Sequence, residues 1–333
     1  MSLTLACILL LAGCGGLHAA SPRQGPAPVA AARRTVAPGV TIGGRAVGGL
    51  DAAATHAVLK LLASEVDVPA RDAYIDPATL GAVPGIDGVA LDVQATWQRL
   101  WQARGGTAVT PVLVRVPPAV GLGALPPRPI YHASRHRYAV AFVINVAWGG
   151  EYLPSMLATL ARLHAAATFC LVGRWAEQHS ADVHAIVASA RQAADPVSFC
   201  NHGYTDHDWL GLTQGQAATS IARADRVIAA LTGTKPLYFS PHKGEFNEAV
   251  LQASREEGHA LILWSLDTID WRKDATAERI LNRVLGRIQG GDIVLMHPTA
   301  PTAQALEALV TGVRAKGLRL VTLDALLSPN GGR

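Results

Sequence analysis

The sequence predicts an α/β fold in which a deformed (β/α) barrel follows a small α+β domain. Beyond residue 131, apolar strand-like runs alternate with helix-like segments, as in a mainly parallel sheet wrapped by helices. A proline- and glycine-rich linker at 119–130 separates this region from a shorter one that begins near residue 38. Polar side chains follow several predicted strands, which is where α/β barrels keep their active sites.

Composition bounds the class of protein. The chain has 333 residues, half of them hydrophobic and only 16% charged, so it can bury a substantial core. The formal charge of +4 is small and no Lys/Arg-rich run occurs, so we expect no nucleic-acid partner. A mildly basic protein suits an anionic surface such as a bacterial cell wall.

The first residues have features of an export signal. Leu3 to Gly13 is an apolar run too short to span a bilayer, and small residues precede Cys14. The pattern resembles a bacterial lipoprotein signal, with a signal peptide at 1–13, a lipid anchor on Cys14 and a flexible tether at 14–37. An ordinary signal peptide stays open, because no Lys or Arg precedes the apolar run. We expect an exported protein, tethered to the outer face of the cytoplasmic membrane or located in the cell wall.

Two further cysteines, Cys170 and Cys200, lie in apolar strand-like runs. An exported protein can form a disulfide, but cysteine in such runs usually serves as a small buried hydrophobe. The sequence therefore favours two thiols over a bridge.

The region 38–118 predicts the small α+β domain. Short strands are expected at 40–42, 73–75 and 112–116, and helices at 51–64 and 93–104. It contains no cluster of titratable residues, so on its own it indicates a structural or binding module.

Three short phrases of this small domain stand in a characteristic order: Gly39-Val40-Thr41-Ile42-Gly43-Gly44, Ala70-Arg71-Asp72-Ala73 and Gly88-Val89-Ala90-Leu91-Asp92-Val93-Gln94-Ala95-Thr96. Together they resemble the YoaR-type domain, which is associated with peptidoglycan binding. The resemblance implies a cell-wall ligand without naming contact residues.

The region 131–328 predicts the barrel. Strands are expected at 140–146, 167–172, 197–200, 237–239, 260–264, 293–296 and 318–323, and helices at 153–164, 181–194, 214–231, 248–257, 277–288 and 303–315.

Residues that can carry chemistry follow five of these runs, at the edge where parallel strands end. One alternative is that the cluster at 201–208 is a polar turn that caps a helix. Another is that the His and Asp residues form a hydrogen-bonded network that only shapes the barrel. The residues are Asn145, then His202, Asp206 and His207, then Ser240, His242 and Lys243, then Asp267, Asp270 and Trp271, then His297.

The order of these motifs resembles the NodB-homology polysaccharide deacetylases of carbohydrate esterase family four. Four longer phrases narrow the resemblance: Ile144-Asn145-Val146-Ala147-Trp148-Gly149, Val172-Gly173-Arg174-Trp175, Asp267-Thr268-Ile269-Asp270-Trp271 and Met296-His297-Pro298-Thr299. They resemble the sporulation-associated YlxY group, and a sporulation role is implied by that resemblance alone.

The family resemblance implies hydrolysis of an acetamide on an amino sugar, assisted by a zinc-like divalent metal. It implies that His202 is a metal ligand, that His297 is the general acid and that Asp270 orients His297. The backbone N–H of Lys243, at the position of a family tyrosine, would donate to an oxyanion.

Other positions depart from the family pattern. Asn145 replaces the base Asp, Val146 a metal-binding Asp, Ser240 an Arg and Asp206 the second metal His. An amide cannot accept a proton near neutral pH, and catalytic zinc usually needs three protein ligands. Asp206 is an acceptable ligand, and His207 or His242 could supply a third, so a repositioned metal site stays open.

Two main functions follow from the resemblance. The chain either hydrolyses N-acetyl groups on peptidoglycan or another N-acetylated glycan, or it is a pseudoenzyme that binds such a glycan in the old cleft. A structural assembly protein of the wall or spore coat is a third class. Asp267 is a candidate substrate contact, and the candidate stacking residues are Trp148, Trp175, Trp209 and Trp271, with Trp148 and Trp271 preferred.

Overall fold

The computed structural model describes residues 34–193, 197–206 and 208–331. The predicted signal peptide, Cys14, most of the tether and His207 lie outside these residues. Among the described residues, no helix combines the length and the apolar character needed to cross a bilayer.

Strands and helices are numbered in chain order. The strands are β1 Thr41–Ile42, β2 Arg45–Ala46, β3 Tyr74–Ile75, β4 Ala82–Val83, β5 Gly88–Leu91, β6 Ala108–Val109, β7 Leu113–Val116, β8 Ala139–Val146, β9 Ala167–Leu171, β10 Val197–Asn201, β11 Tyr238–Phe239, β12 Ala260–Leu261, β13 Leu266–Asp267, β14 Ile293–Met296 and β15 Arg319–Leu320. The helices are α1 Ala52–Val66, α2 Val93–Gln102, α3 Leu153–Arg162, α4 Gly173–Gln178, α5 Ser180–Ala193, α6 Gln214–Thr232, α7 Glu248–Glu256, α8 Ala277–Leu285, α9 Ala300–Ala315 and α10 Leu323–Leu327.

The small domain contains α1, α2 and strands β1 to β7. Each helix begins where an aspartate caps it: the Asp51 side chain accepts from the Ala54 amide, and Asp92 from Ala95. The two helices pack around an apolar cluster that includes Leu59 and Leu100. Val36 is buried in the same cluster, so the folded part begins before the predicted end of the tether at residue 37.

The predicted (β/α) barrel is confirmed. Its sheet has the order β12-β11-β10-β9-β8-β14-β13, with β15 also pairing with β8, and the register pairs among these strands are parallel. The central strand β8 has all eight residues buried, because helices cover one face and the barrel interior lies on the other.

Side chains of β8 alternate between these two faces, as the period of two requires. Phe142, Ile144 and Val146 belong to the large core cluster shared with α3 and α9. Ala141 and Val143 belong to the interior cluster instead. This alternation places Asn145 on the interior side and Val146 on the helix side.

The chain that arrives from the small domain is built into the barrel. The Ile130 amide donates to the Leu261 carbonyl at 2.9 Å, and the Leu263 amide donates to Ile130 at 2.8 Å, which extends the edge at β12. The next residues cross toward β14, where the backbone of His132 forms an antiparallel β-bridge with Asp292, the residue before that strand.

A hydrogen bond between His132 and Asp76 joins the small domain to the barrel at this crossing. His132 Nε2 lies 3.0 Å from Asp76 Oδ2, and the hydrogen bond from His132 is the main reason that the pKa of Asp76 falls to about 2. His132 is only 5% exposed, so the pair fixes the small domain against the barrel.

The prediction of two free thiols is wrong in this structure, which joins Cys170 and Cys200 in a disulfide. Both residues are buried, as expected, but β9 and β10 place them directly opposite each other with their Cα atoms 4.3 Å apart. The register between β9 and β10 brings the two cysteines together, and the sequence of either strand on its own does not indicate that register.

Candidate active site

The carboxyl ends of the barrel strands bring the predicted residues to one edge of the sheet. Asn145 lies near the end of β8 and His202 directly after β10. Ser240 and His242 follow β11, while Asp270 and His297 follow β13 and β14. These strands belong to one parallel barrel sheet, and His297 lies close enough to His202 and His242 for its charge to lower the pKa of both.

Asp270 and His297 form a buried pair at the end of β14. His297 Nδ1 donates to Asp270 Oδ1 at 2.8 Å, and the His297 amide donates to Oδ2 at 2.7 Å. Burial opposes ionisation of Asp270, but the hydrogen bonds and charge of His297 together with the Thr302 hydroxyl outweigh it and hold the pKa of Asp270 below its ordinary value. The carboxylate fixes the orientation of the imidazole and leaves Nε2 free of this pairing, as a general acid requires.

Two threonines support this pair and were missed in the sequence. Thr302 donates to Asp270 Oδ2, and the Thr299 hydroxyl lies 3.4 Å from the same oxygen. Thr299 also caps α9, since its side chain accepts from the Thr302 amide. The sequence pattern that could have indicated these threonines is the helix-capping run Thr299-Ala300-Pro301-Thr302, which begins two residues after His297.

Trp148 stacks on His297, with ring centroids 5.6 Å apart and planes 10° from parallel. The stack depends on Gly149, which has a positive φ of 77° and touches Pro298 so closely that a Cβ would collide with the Pro298 carbonyl. Trp148 is 44% exposed and lines a cleft of about 840 Å³ with Arg174 and Asp206. An exposed ring beside an oriented imidazole suits the apolar face of a sugar.

His202 is held neutral in the floor of the site. Its Nδ1 donates to the Ser240 carbonyl at 2.5 Å, which leaves the lone pair on Nε2. Burial, followed by the charge of His242, lowers the pKa of His202 to about 3 despite the opposing hydrogen bond to Ser240. A neutral imidazole with a free Nε2 is the form that a metal ligand needs.

The donors around His202 do not make a complete metal site. Asp206 Oδ1 lies 2.8 Å from His242 Nε2, so the two predicted extra ligands bind each other. The rings of His202 and His242 are 5.6 Å apart, and no group of three His, Cys, Asp or Glu residues in the described chain is arranged to hold a metal. The described residues therefore do not fit the zinc-like ion that the resemblance implies, and His207, the remaining candidate, is not described.

The positions of the missing Asp and Arg are occupied by uncharged groups. Asn145 is 4% exposed and Ser240 fully buried, and neither the Asn145 Oδ1 nor the Ser240 hydroxyl has a hydrogen-bond partner among the described residues. Val146 does not substitute for a ligand, because it packs in the core on the helix side of β8. The site thus has no carboxylate at Asn145 or at Val146, the two positions where the family pattern has one.

The remaining predicted residues divide between the cleft and the core. Trp271 is 56% exposed beside Asp270, but Trp175 and Trp209 are buried at 5% and 0%, so the expectation that these two stack on a sugar is wrong. Burial raises the pKa of Asp267, whose carboxylate accepts from the Ile269 amide. Lys243 has a left-handed φ of 57°, an unusual conformation for a non-glycine residue in the turn after β11.

The barrel and the oriented His297–Asp270 pair at its strand ends give the arrangement that a hydrolase with a histidine general acid requires. The family model for polysaccharide deacetylase matches residues 134–262. The YlxY protein of Bacillus subtilis, described as uncharacterized, is 35% identical over 265 residues, which cover 80% of this chain and 81% of YlxY. A peptidoglycan-N-acetylglucosamine deacetylase of Bacillus cereus is 28% identical over 181 residues, covering 53% of this chain and 63% of that protein.

Solved structures give the same grouping. BA3943 of Bacillus anthracis, described as a CE4 family pseudoenzyme, matches with a TM-score of 0.70 and 30% identity over 83% of this chain and 95% of that chain. A BA3943 mutant described as having restored enzymatic activity matches with a TM-score of 0.70 and 29% identity, covering 83% of this chain and 98% of that one. The chain belongs to carbohydrate esterase family four, the polysaccharide deacetylases, a family of hydrolases that act on C–N bonds.

Proposed function

We propose that this chain binds peptidoglycan or a related N-acetylated glycan in the strand-end cleft and no longer hydrolyses it by the family's metal-assisted route. The observation that carries the proposal is the replacement at the end of β8, where Asn145 faces the interior and Val146 packs into the helix-side core. An amide cannot serve as a base, and a buried isopropyl group cannot hold a metal.

Loss of the base and loss of its arginine partner support each other. A buried arginine without a carboxylate would be strongly destabilising, and Ser240 removes that charge from a fully buried position. The two changes leave uncharged groups, Asn145 near the end of β8 and Ser240 directly after β11. The Asn145 amide can form hydrogen bonds but cannot act as a base in hydrolysis.

The cleft retains the features that recognise a sugar. Trp148 and Trp271 are exposed, and Trp148 stacks on an imidazole held by Asp270. Proteins similar to this chain are described as peptidoglycan deacetylases, which supports an N-acetylated wall glycan as the ligand and a location outside the cytoplasmic membrane. A lipid anchor on Cys14 would tether the protein there. The resemblance of the small domain to YoaR supports a second contact with the wall, and a role in sporulation stays part of this proposal.

Deacetylation is the alternative, and the intact His297–Asp270 pair favours it. The purified chain, supplied with zinc or cobalt, is tested for acetate release from chitooligosaccharides and peptidoglycan, with metal content measured in parallel. We expect no acetate and no stoichiometric metal. Acetate release that is abolished by His297→Ala would overturn the proposal.

Binding is tested by co-sedimentation with purified peptidoglycan. Trp148→Ala is expected to weaken binding by about tenfold, since a stacking aromatic contributes on the order of 1–2 kcal/mol. Tyr138→Ala is the matched control, because Tyr138 is 76% exposed but lies before β8, at the opposite end of the barrel. Equal losses in the two variants would contradict a site at the strand-end cleft.

A further inference from the structure

A second cleft, of about 640 Å³, adjoins the cleft at Trp148. We name it the arginine cleft and define it by Arg174, Tyr204, Thr205, Thr219 and Arg223. Arg174 and Thr205 line both clefts, so the arginine cleft continues the surface that begins at Trp148. The two clefts differ in charge: the first combines Arg174 with the carboxylates of Glu151, Asp182 and Asp206, while the residues that line the second include Arg174 and Arg223 and no carboxylate.

Two arginines lie over the ring of Tyr204 in this arginine cleft. The Arg223 guanidinium carbon is 3.5 Å from the ring centroid, and that of Arg174 is 5.9 Å away. Arg223 Nη2 also donates to the Tyr204 hydroxyl at 2.6 Å. Tyr204 is only 8% exposed, so it holds both cations in place from below while they stay exposed to solvent.

The charge of this cluster is not balanced within the arginine cleft. The Tyr204 hydroxyl donates to Glu177 at 2.6 Å, and Glu177 lines the neighbouring depression together with Arg223. The arginine cleft itself is lined by two guanidinium groups and by no carboxylate. Arg223 donates one N–H to Tyr204, and a guanidinium group has five N–H donors, so further donors can bind a planar anion.

The start of α6 adds to this positive potential. The helix is 19 residues long and begins at Gln214, and its first two turns supply Gln216 and Thr219 to the wall of the arginine cleft. The N-terminal end of a helix favours anions through its dipole. The Thr213 and Gln216 side chains already cap each other, so the anion contacts would come from the arginines and from Thr219.

We infer that the arginine cleft binds a carboxylate on an acidic substituent of the glycan whose sugars occupy the cleft at Trp148. This rests on the proposed function and deepens it, because it identifies the ligand as a peptide-bearing glycan rather than a neutral chitin-like chain. Carboxylates match the forked geometry of arginine in paired hydrogen bonds. The peptide stems of peptidoglycan carry such carboxylates on alternate sugars.

The test compares two purified tetrasaccharides of peptidoglycan by calorimetry, one with its peptide stems and one from which an amidase has removed them. We expect the full chain to bind the stem-bearing form about tenfold more tightly at low salt, with the preference falling as salt is added. The Arg223→Gln variant should lose most of the preference and keep its affinity for the stem-free form, because Arg223 lines the arginine cleft and not the cleft at Trp148. The Arg223→Lys variant should keep only part of the preference, because lysine retains the positive charge but cannot form paired hydrogen bonds with a carboxylate.

Arg226→Gln is the matched control, since Arg226 is exposed on α6 one turn beyond Arg223 and lies outside the arginine cleft. It should keep the full preference, and circular dichroism should show all variants folded. Equal binding of both tetrasaccharides by the unaltered chain, or a preference that survives the Arg223→Gln substitution, would overturn this inference alone. Inorganic phosphate that competes as strongly as free stem peptide would overturn the assignment to a carboxylate. Binding of neither tetrasaccharide would instead overturn the proposed function.

Discussion

At the scale of single residues, the step from Asn145 to Val146 determines what the site can do. Consecutive residues of a strand face opposite sides of the sheet, and β8 keeps this alternation to its last residue. A ligand at the second position would have to leave the strand and turn toward the cleft. The apolar Val146 stays in the sheet and fills the core beneath α3 and α9 instead.

His202 makes the stability of the protein depend on pH. The unfolded chain takes up a proton at this side chain near its ordinary pKa of 6.5, whereas burial delays protonation in the folded state to about pH 3. The free energy of unfolding therefore falls as the pH drops from about 6.5 toward 3, with a slope of at most about 1.4 kcal/mol per pH unit from this residue. His202→Asn should flatten that slope, as measured by urea denaturation at several pH values.

The asparagine amide in this variant lies where Nδ1 lies in histidine, so it can still donate to the Ser240 carbonyl. His202→Ala is the comparison: it should flatten the slope equally and also lower the stability at pH 8, because the hydrogen bond is lost. An unchanged slope in both variants would show that His202 is protonated in the folded protein.

At the scale of elements, the segments after β13 and β14 form one unit around Asp270. The carboxylate accepts from His297 twice and from Thr302, which ties the turn after β13 to the start of α9. Ile269, in the middle of that turn, has a left-handed φ of 54°, which is costly for a β-branched residue. The hydrogen bonds of Asp270 hold the turn in this conformation.

Asp270→Asn should lower the free energy of unfolding by about 2–4 kcal/mol, because one acceptor becomes a donor that faces other donors in a buried place. Urea denaturation measures the loss. Asp274→Asn is the control in the same loop, where the exposed carboxylate pairs with Arg272 and Arg279 and should matter far less. Similar losses in both variants would mean that the Asp270 network does not stabilise the fold.

The longer elements were predictable from the sequence, because their apolar periodicity extends over whole helices or buried strands. The bounds of β14 agree residue for residue with the expected strand, and those of α6 within one residue. The six-residue α4 and the two-residue β13 were missed, because such short segments carry no periodicity. The convergence of His202, Asp270 and His297 was predictable from strand ends, but the pairing of Asp206 with His242 depends on loop geometry that no sequence pattern encodes.

At the scale of the whole molecule, the disulfide closes the chain across β9 and β10. It links residues 30 positions apart, and both cysteines are buried in the barrel interior. By the entropy of loop closure, such a link stabilises the folded state by about 3–4 kcal/mol. The midpoint of urea unfolding should therefore fall when the protein is reduced under denaturing conditions and refolded with its thiols blocked from reoxidation.

Peptide mapping without reductant should recover Cys170 and Cys200 in one cross-linked pair. The Cys170→Ala/Cys200→Ala variant is the control, because reductant should not change its unfolding midpoint. Recovery of both cysteines as free thiols from protein purified without reductant would restore the expectation that the sequence supports.

The hydrogen bonds of Ile130 bear on where this protein can be divided. Its amide and carbonyl occupy the outer edge of the sheet next to β12, so the last residue of the linker covers peptide groups that would otherwise face solvent. A fragment that begins at residue 131 would expose that edge, and an uncovered strand is a template for pairing with another molecule. An engineered protein that uses the barrel alone should therefore include the preceding chain, because the sheet edge that this segment covers is otherwise prone to aggregation.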